Sequence, residues 1–159
     1  MPVLRLLLSL LLAATLLGAP APVEAAYGDH CSRVGHSPTA EADLLRSTNN
    51  LRAYVHLSRL GGSLTLTRLA QQHARALAAR QRPGQVLWHT DVAPYVRGWA
   101  WLGQNVGVGP SVAWLQYAFL HSPGHRANMF YRHANRVGVG AWCDGSGSLW
   151  VAVNLMQAR

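Results

Sequence analysis

The sequence predicts a mixed α+β domain: a small, mostly antiparallel sheet covered by helices. Three observations carry that expectation. Residues 39–60 and 67–82 repeat apolar side chains at helical spacing. Two alternating runs, Arg136 to Cys143 and Ser148 to Met156, flank Asp144-Gly145-Ser146-Gly147 as a hairpin flanks its turn. Between these halves, residues 103–128 read as a strand, an apolar helix and a second short helix.

Taken in order, Thr39 is placed to cap the first helix, with Glu41 in its first turn, where a carboxylate complements the helix dipole. Leu44, Thr48, Leu51 and Val55 form its apolar stripe, and Gly61-Gly62 is expected to end it. A second helix is expected from Thr67. Leu69, Ala70, His73, Ala74, Leu77 and Ala78 share one face, while Arg68, Gln71, Gln72 and Arg75 take the other. His73 reads there as a core or boundary residue with a satisfied hydrogen bond, and Pro83-Gly84 breaks the helix. Val86-Leu87-Trp88 reads as a short strand delivering His89. A linker, Asp91 to Ala100, leads to Trp99 and Trp101, which share a face if the next strand begins early. That strand holds Gly103-Gln104-Asn105-Val106 and is expected to leave into a glycine-rich turn.

The apolar helix runs from Val112 to Leu120. After it, Ser122 can cap a short helix with Pro123 in its first position, which puts His125 in the first turn. In the final hairpin, Gly138 and Gly140 alternate with Val137, Val139 and Ala141 and permit another element to approach closely.

The strings Gly103-Gln104-Asn105-Val106, Ser122-Pro123-Gly124-His125-Arg126-Ala127-Asn128 and Gly138-Val139-Gly140 together resemble the signature of the CAP superfamily of cysteine-rich secretory, antigen-five and pathogenesis-related-one proteins, in its short bacterial form. The resemblance takes in Asn49, Arg52, the Leu69 to Leu77 helix and His89, so it spans residues 40–155. It implies a three-layer α-β-α sandwich. It also implies a cleft lined by two histidines and two glutamates, whose histidines can hold a divalent metal such as zinc. His89 and His125 match the histidines. Gln104 stands where the first glutamate belongs, and no acid lies between Val92 and Trp142 to supply the second.

That departure matters chemically, because a glutamine amide does not titrate near neutral pH and cannot serve as a base. Two imidazoles alone fall short of the three protein ligands usual for catalytic zinc. The cleft residues expected on these grounds are His89, Gln104, Asn105, Ser122 and His125, with His89 and His125 as a weak metal pair. Asp91 is placed to orient His89. Ser122 reads as a cap rather than a nucleophile, and Gly145-Ser146-Gly147 does not fit a nucleophile elbow.

Composition sets the surroundings. Residues 1–25 combine one positive charge, an apolar run from Leu6 to Leu17 and a small-residue exit, the pattern of a secretory signal peptide cleaved after Ala25. Residues 26–38 then form a tail tied by Cys31, and 39–159 form the domain, with no transmembrane segment in the mature chain. The expected location is extracellular. Two cysteines in an exported chain predict a Cys31–Cys143 disulfide. All 14 basic side chains are arginine against 6 acids, a formal net charge of +8. Such a balance favours anionic partners, but the arginines are dispersed and no nucleic-acid motif accompanies them. The function expected is a non-catalytic binding module, a monomer, for an apolar or anionic cell-envelope ligand such as a lipid, or for a partner protein. The alternative is a metal-dependent hydrolase built on His89 and His125.

Overall fold

The computed structural model describes residues 30–79 and 87–159. The expected signal peptide and the Pro83-Gly84 break lie outside the described residues. Within them, ten elements follow one another: β1 (Gly35–His36), α1 (Pro38–Tyr54), β2 (Gly61–Gly62), α2 (Leu64–Ala79), a 3-10 turn (Ala93–Tyr95), β3 (Trp99–Gly109), α3 (Val112–His121), α4 (Pro123–Met129), β4 (Arg136–Cys143) and β5 (Leu149–Ala158). The strands order as β1-β4-β5-β3, with antiparallel neighbours, and β2 adds a short parallel pairing to β4. The long strand β3 is therefore an outer strand.

Alternation along β4 and β5 sorts the molecule into three layers. Val137, Val139, Leu149, Val151 and Leu155 pack with Leu44 of α1 and with Val112, Leu115 and Phe119 of α3. On the opposite face Val106, Trp150 and Ala152 pack with Ala70, Ala74 and Leu77 of α2. This is an α-β-α sandwich. The spacing on the α2 side is tight, because a Cβ on Gly138 would overlap the backbone at Leu66, and one on Gly140 would overlap it at Ala70. Cys31 and Cys143 are disulfide-bonded, 5.3 Å apart at Cα, which ties the N-terminal segment to the end of β4.

Several local expectations are corrected. The cap of α1 is Ser37, whose side chain accepts from the Ala40 N–H, because Pro38 occupies the first helical position. Along α1, Ala40, Leu44, Ser47, Thr48, Asn49 and Arg52 are buried, whereas Val55 is exposed beyond the helix end. Helix α1 ends at Tyr54, and Gly61-Gly62 pairs with Arg136 and Val137 as β2. Helix α2 begins at Leu64, with the Ser63 hydroxyl accepting from the Leu66 N–H. Leu87 and Trp88 belong to no strand. Gly107 and Gly109 continue β3 instead of turning, since both pair with β5. A register shift between Trp99 and Trp101 sets them opposite Ala158 and Gln157. They thus face opposite sides of the sheet, and Trp101 stacks on Tyr131 at 4.1 Å.

Arg52 closes the underside of this architecture. It is fully buried and donates to the carbonyls of Ser58, Met129, Tyr131 and Ala134 at 2.9, 2.7, 3.1 and 3.2 Å. Burial lowers its pKa, yet a guanidinium starts so high that it stays charged. Asn49 works beside it, exchanging two hydrogen bonds with the Leu60 backbone at 2.8 and 3.1 Å. Both residues pin the loop between α1 and α2.

Candidate functional site

The candidate site is organised by two adjacent residues of the outer strand. Gln104 pairs with Asn154 of β5 and so faces the α2 layer, while Asn105 pairs with Val153 and faces the opposite layer. Each holds one of the histidines in place by a different device.

On the first side the Gln104 amide makes four hydrogen bonds. Its Oε1 accepts from the Thr90 N–H at 2.9 Å and lies 3.1 Å from His89 Nδ1. Its Nε2 donates to Thr90 Oγ1 at 3.0 Å and to Asn154 Oδ1 at 2.8 Å. Asn154 is fully buried and donates in turn to the Leu66 carbonyl at 3.1 Å. The amide is thus used to capacity by its protein neighbours.

On the second side buried Asn105 donates to the His125 carbonyl at 3.0 Å and accepts from Asn128 at 2.9 Å. Asn128 also donates to the Gln104 carbonyl at 3.2 Å. These bonds fasten α4 to β3. Ser122 takes the N-cap position of α4 with Pro123 following, but its side chain makes no capping bond. The helix starts where it does because of the proline and the strand contacts. The His125 ring lies against Phe119 at 4.9 Å, and its nitrogens have no hydrogen-bond partner among the described residues.

Electrostatics joins the two sides. The His125 pKa is lowered, first by burial and then by His89. His73, only 3% exposed on α2, is also lowered, chiefly by burial; its bond to the Trp88 carbonyl at 2.9 Å opposes this, and His89 adds the smallest, lowering, effect. His89 itself is exposed. Asp91 makes no hydrogen bond to it; its Oδ1 accepts from the Ala93 N–H at 2.9 Å, at the start of the 3-10 turn. Both shifts favour the neutral forms of His73 and His125.

No group of three or more His, Cys, Asp or Glu side chains among the described residues is arranged to hold a metal ion. The two histidines offer nitrogen donors suited to zinc, but the three protein ligands of a catalytic zinc centre are not assembled. The donor set therefore does not fit a catalytic metal.

Beside His89 lies a groove of about 800 Å³ between α2 and the segment leading to β3. Thr65, Arg68, Leu69, Gln72 and Ala76 project from one face of α2, opposite Trp88, Thr90, Val92 and Tyr95. Its walls mix apolar and polar groups, and Arg68 has no acidic partner among the described residues.

Thr90, Asn128 and Asn154 complete the hydrogen-bond frame without having been singled out by the sequence for a role. Asn154 had one visible signal: it is the lone polar residue inside the apolar run Val151 to Met156.

Comparison with known proteins agrees with this architecture. An outer surface protein from Borrelia burgdorferi superposes with a TM-score of 0.69 at 16% identity, covering 80% of this chain and 100% of that one. A cysteine-rich secretory protein from Staphylococcus aureus superposes with a TM-score of 0.61 at 18% identity, over 76% of this chain but only 39% of that one. NaASP2, solved with Zn2+, gives 0.56 at 15% identity over 79% and 83%. At these identities the likeness concerns the fold. No curated protein matches the sequence significantly. The model of the cysteine-rich secretory protein family, CAP, matches residues 45–154, and the chain belongs to that family.

Proposed function

We propose that this protein is an exported, non-catalytic CAP-domain module that binds an apolar or anionic cell-envelope ligand in the groove beside His89. The observation that carries the reading is the groove. Its volume suits a small organic molecule, its apolar wall suits an aliphatic body, and Arg68, which has no acidic partner among the described residues although Asp91 also lines the groove, suits an anionic head. Gln104 speaks against chemistry at the adjoining histidines, because its amide has no titrating proton and no spare bonding capacity. Export rests on the leader-like residues 1–25 and on relatives described as surface or secretory proteins.

A metal-dependent hydrolase is the second reading. The His125 nitrogens, which have no hydrogen-bond partner among the described residues and feel the charge of His89, favour it, and NaASP2 has been solved with Zn2+ in this fold.

Calorimetric titration of dodecyl phosphate, below its micelle concentration, tests the first reading. Saturable binding is expected, weakened about tenfold by Arg68→Gln, since a hydrogen bond to a charged group contributes ~1.5–3 kcal/mol. An absence of saturable binding, or equal affinity in Arg68→Gln, would refute the groove. Chelator-sensitive cleavage of a peptide library, lost in His125→Ala, would establish the second reading instead.

A further inference from the structure

Gln104 occupies the position that makes the site look disabled, yet its surroundings give it a definite task. Amide oxygens and nitrogens are distinguished by their partners, and here two main-chain groups settle both amides in the network. The Leu66 carbonyl can only accept, so the atom of Asn154 facing it is the NH2 group. The Asn154 oxygen then faces Gln104, whose NH2 group must meet it. At the other end the Thr90 N–H can only donate, so the Gln104 atom facing it is the oxygen. Two independent constraints, from strands and segments far apart in sequence, impose the same orientation on one amide.

His89 Nδ1 lies 3.1 Å from that oxygen. An oxygen already accepting from Thr90 has nothing to donate, so the proton in this contact belongs to the imidazole. We infer that Gln104 is a positioning residue: its clamped amide fixes neutral His89 in the Nδ1–H tautomer and leaves Nε2 as the acceptor of the ring. An unconstrained neutral histidine side chain prefers the opposite tautomer, with the proton on Nε2. The clamp therefore changes what the ring offers to anything that approaches it. An Nε2 lone pair accepts from a hydroxyl, ammonium or amide N–H, whereas the opposite tautomer would donate at that atom and welcome an unprotonated carboxylate or phosphate. The chemical class selected at His89 is a hydrogen-bond donor.

This assignment needs no decision about what fills the groove. A glutamate at 104 would preserve the tautomer, because a carboxylate oxygen also accepts from Nδ1–H. It would lose the bond to Asn154, because a carboxylate cannot donate. The amide thus does for the tautomer what an acid would do, while adding a donor for Asn154 that an ionised acid lacks.

Long-range proton–nitrogen correlation spectra of the 15N-labelled full domain, taken at a pH where His89 is neutral, read the tautomer directly. Assignment comes from the His89→Gln variant. In wild type, His89 is expected to show an acceptor-type Nε2 resonance and a protonated Nδ1. In Gln104→Leu the two nitrogens should move toward the averaged values of a free histidine. In Gln104→Glu they should keep the wild-type pattern. A protonated Nε2 in wild type, or an unchanged pattern in Gln104→Leu, would overturn the inference. Should Gln104→Leu fail to fold, the wild-type and Gln104→Glu spectra still decide it. A merely structural glutamine would leave His89 with the free tautomer ratio in wild type itself.

Discussion

Replacing Arg52 by methionine removes a buried guanidinium that serves four carbonyls. The flexible methionine side chain can follow much of the apolar stem of the arginine, so the change mainly removes the guanidinium. Four carbonyls lose the guanidinium, and that of Tyr131 keeps the Ala134 N–H. The bonds to Met129 and Ala134 are buried, and an acceptor orphaned there costs ~1–3 kcal/mol. Those to Ser58 and Tyr131 are partly exposed and can recover water. Two buried acceptors give ~2–6 kcal/mol, and a central value of ~4 kcal/mol is a large share of the ~5–15 kcal/mol that holds a typical domain together. Urea unfolding followed by tryptophan fluorescence measures the loss, provided the slope is unchanged. Arg52→Lys should fall between wild type and Arg52→Met, because an ammonium keeps the charge but lacks the planar fork that spans several acceptors. A loss below ~1 kcal/mol in Arg52→Met would refute the accounting, since even one orphaned buried carbonyl should cost that much.

Other outcomes follow from the same geometry. Gly140→Ala forces a methyl group onto the α2 backbone and should destabilise by ~3 kcal/mol or more in thermal unfolding. Gly124→Ala meets nothing within van der Waals range on α4 and should gain a few tenths to ~1 kcal/mol. Burial alone would raise the Asp144 pKa, but bonds from Ser146, Trp150 and Ser148 outweigh it and the net shift is downward. Its contribution is therefore full above the unfolded value near pH ~4 and disappears as pH falls through the lower folded value. Asp144→Ala should accordingly lose ~2–3 kcal/mol at pH 7, with the gap from wild type narrowing below pH ~4. Reducing the Cys31–Cys143 bond, which closes a separation of 112 residues, should cost ~4–5 kcal/mol on the chain-entropy model. Denatured, unreduced protein should show no titratable thiol, and equal stability of the reduced and oxidised forms would count against that model.

The layered architecture was legible because it is written in periodicity. The hairpin stands out in alternation alone, and Gly138 and Gly140 announced a close approach before its partner helix was known. Ends of elements were less legible. Ser37-Pro38 opens α1 by the same Ser-Pro arrangement that opens α4 at Ser122-Pro123, yet Thr39 is equally acceptable to the propensity rules. Gly61-Gly62 reads locally as a helix stop, while its pairing with Arg136 and Val137 depends on a strand more than seventy residues onward. The site divides the same way. Gln104 lies in a foreseen strand and His125 in a foreseen first helical turn, whereas the strand expected before His89 is not formed at Leu87-Trp88, and the clamp on Gln104 needs Asn154 and the Leu66 carbonyl. Those meet only through the β3–β5 register and the packing of α2 on the sheet, which local patterns do not encode.

The contact of α2 with glycine backbone has a consequence for how such a domain diversifies. One wall of the groove is a helix whose inner side rests directly on main chain at Gly138 and Gly140 and on packed side chains elsewhere. That wall cannot slide inward to meet a small occupant or yield easily to a large one. On the proposed binding reading, selectivity falls to the groove-lining positions Thr65, Arg68, Leu69, Gln72 and Ala76, none of which belongs to the buried face of α2. On the proposed reading the domain is a fixed mould with an exchangeable lining: substitution on one helical face would retune the occupant, and the scaffold beneath has no need to adapt.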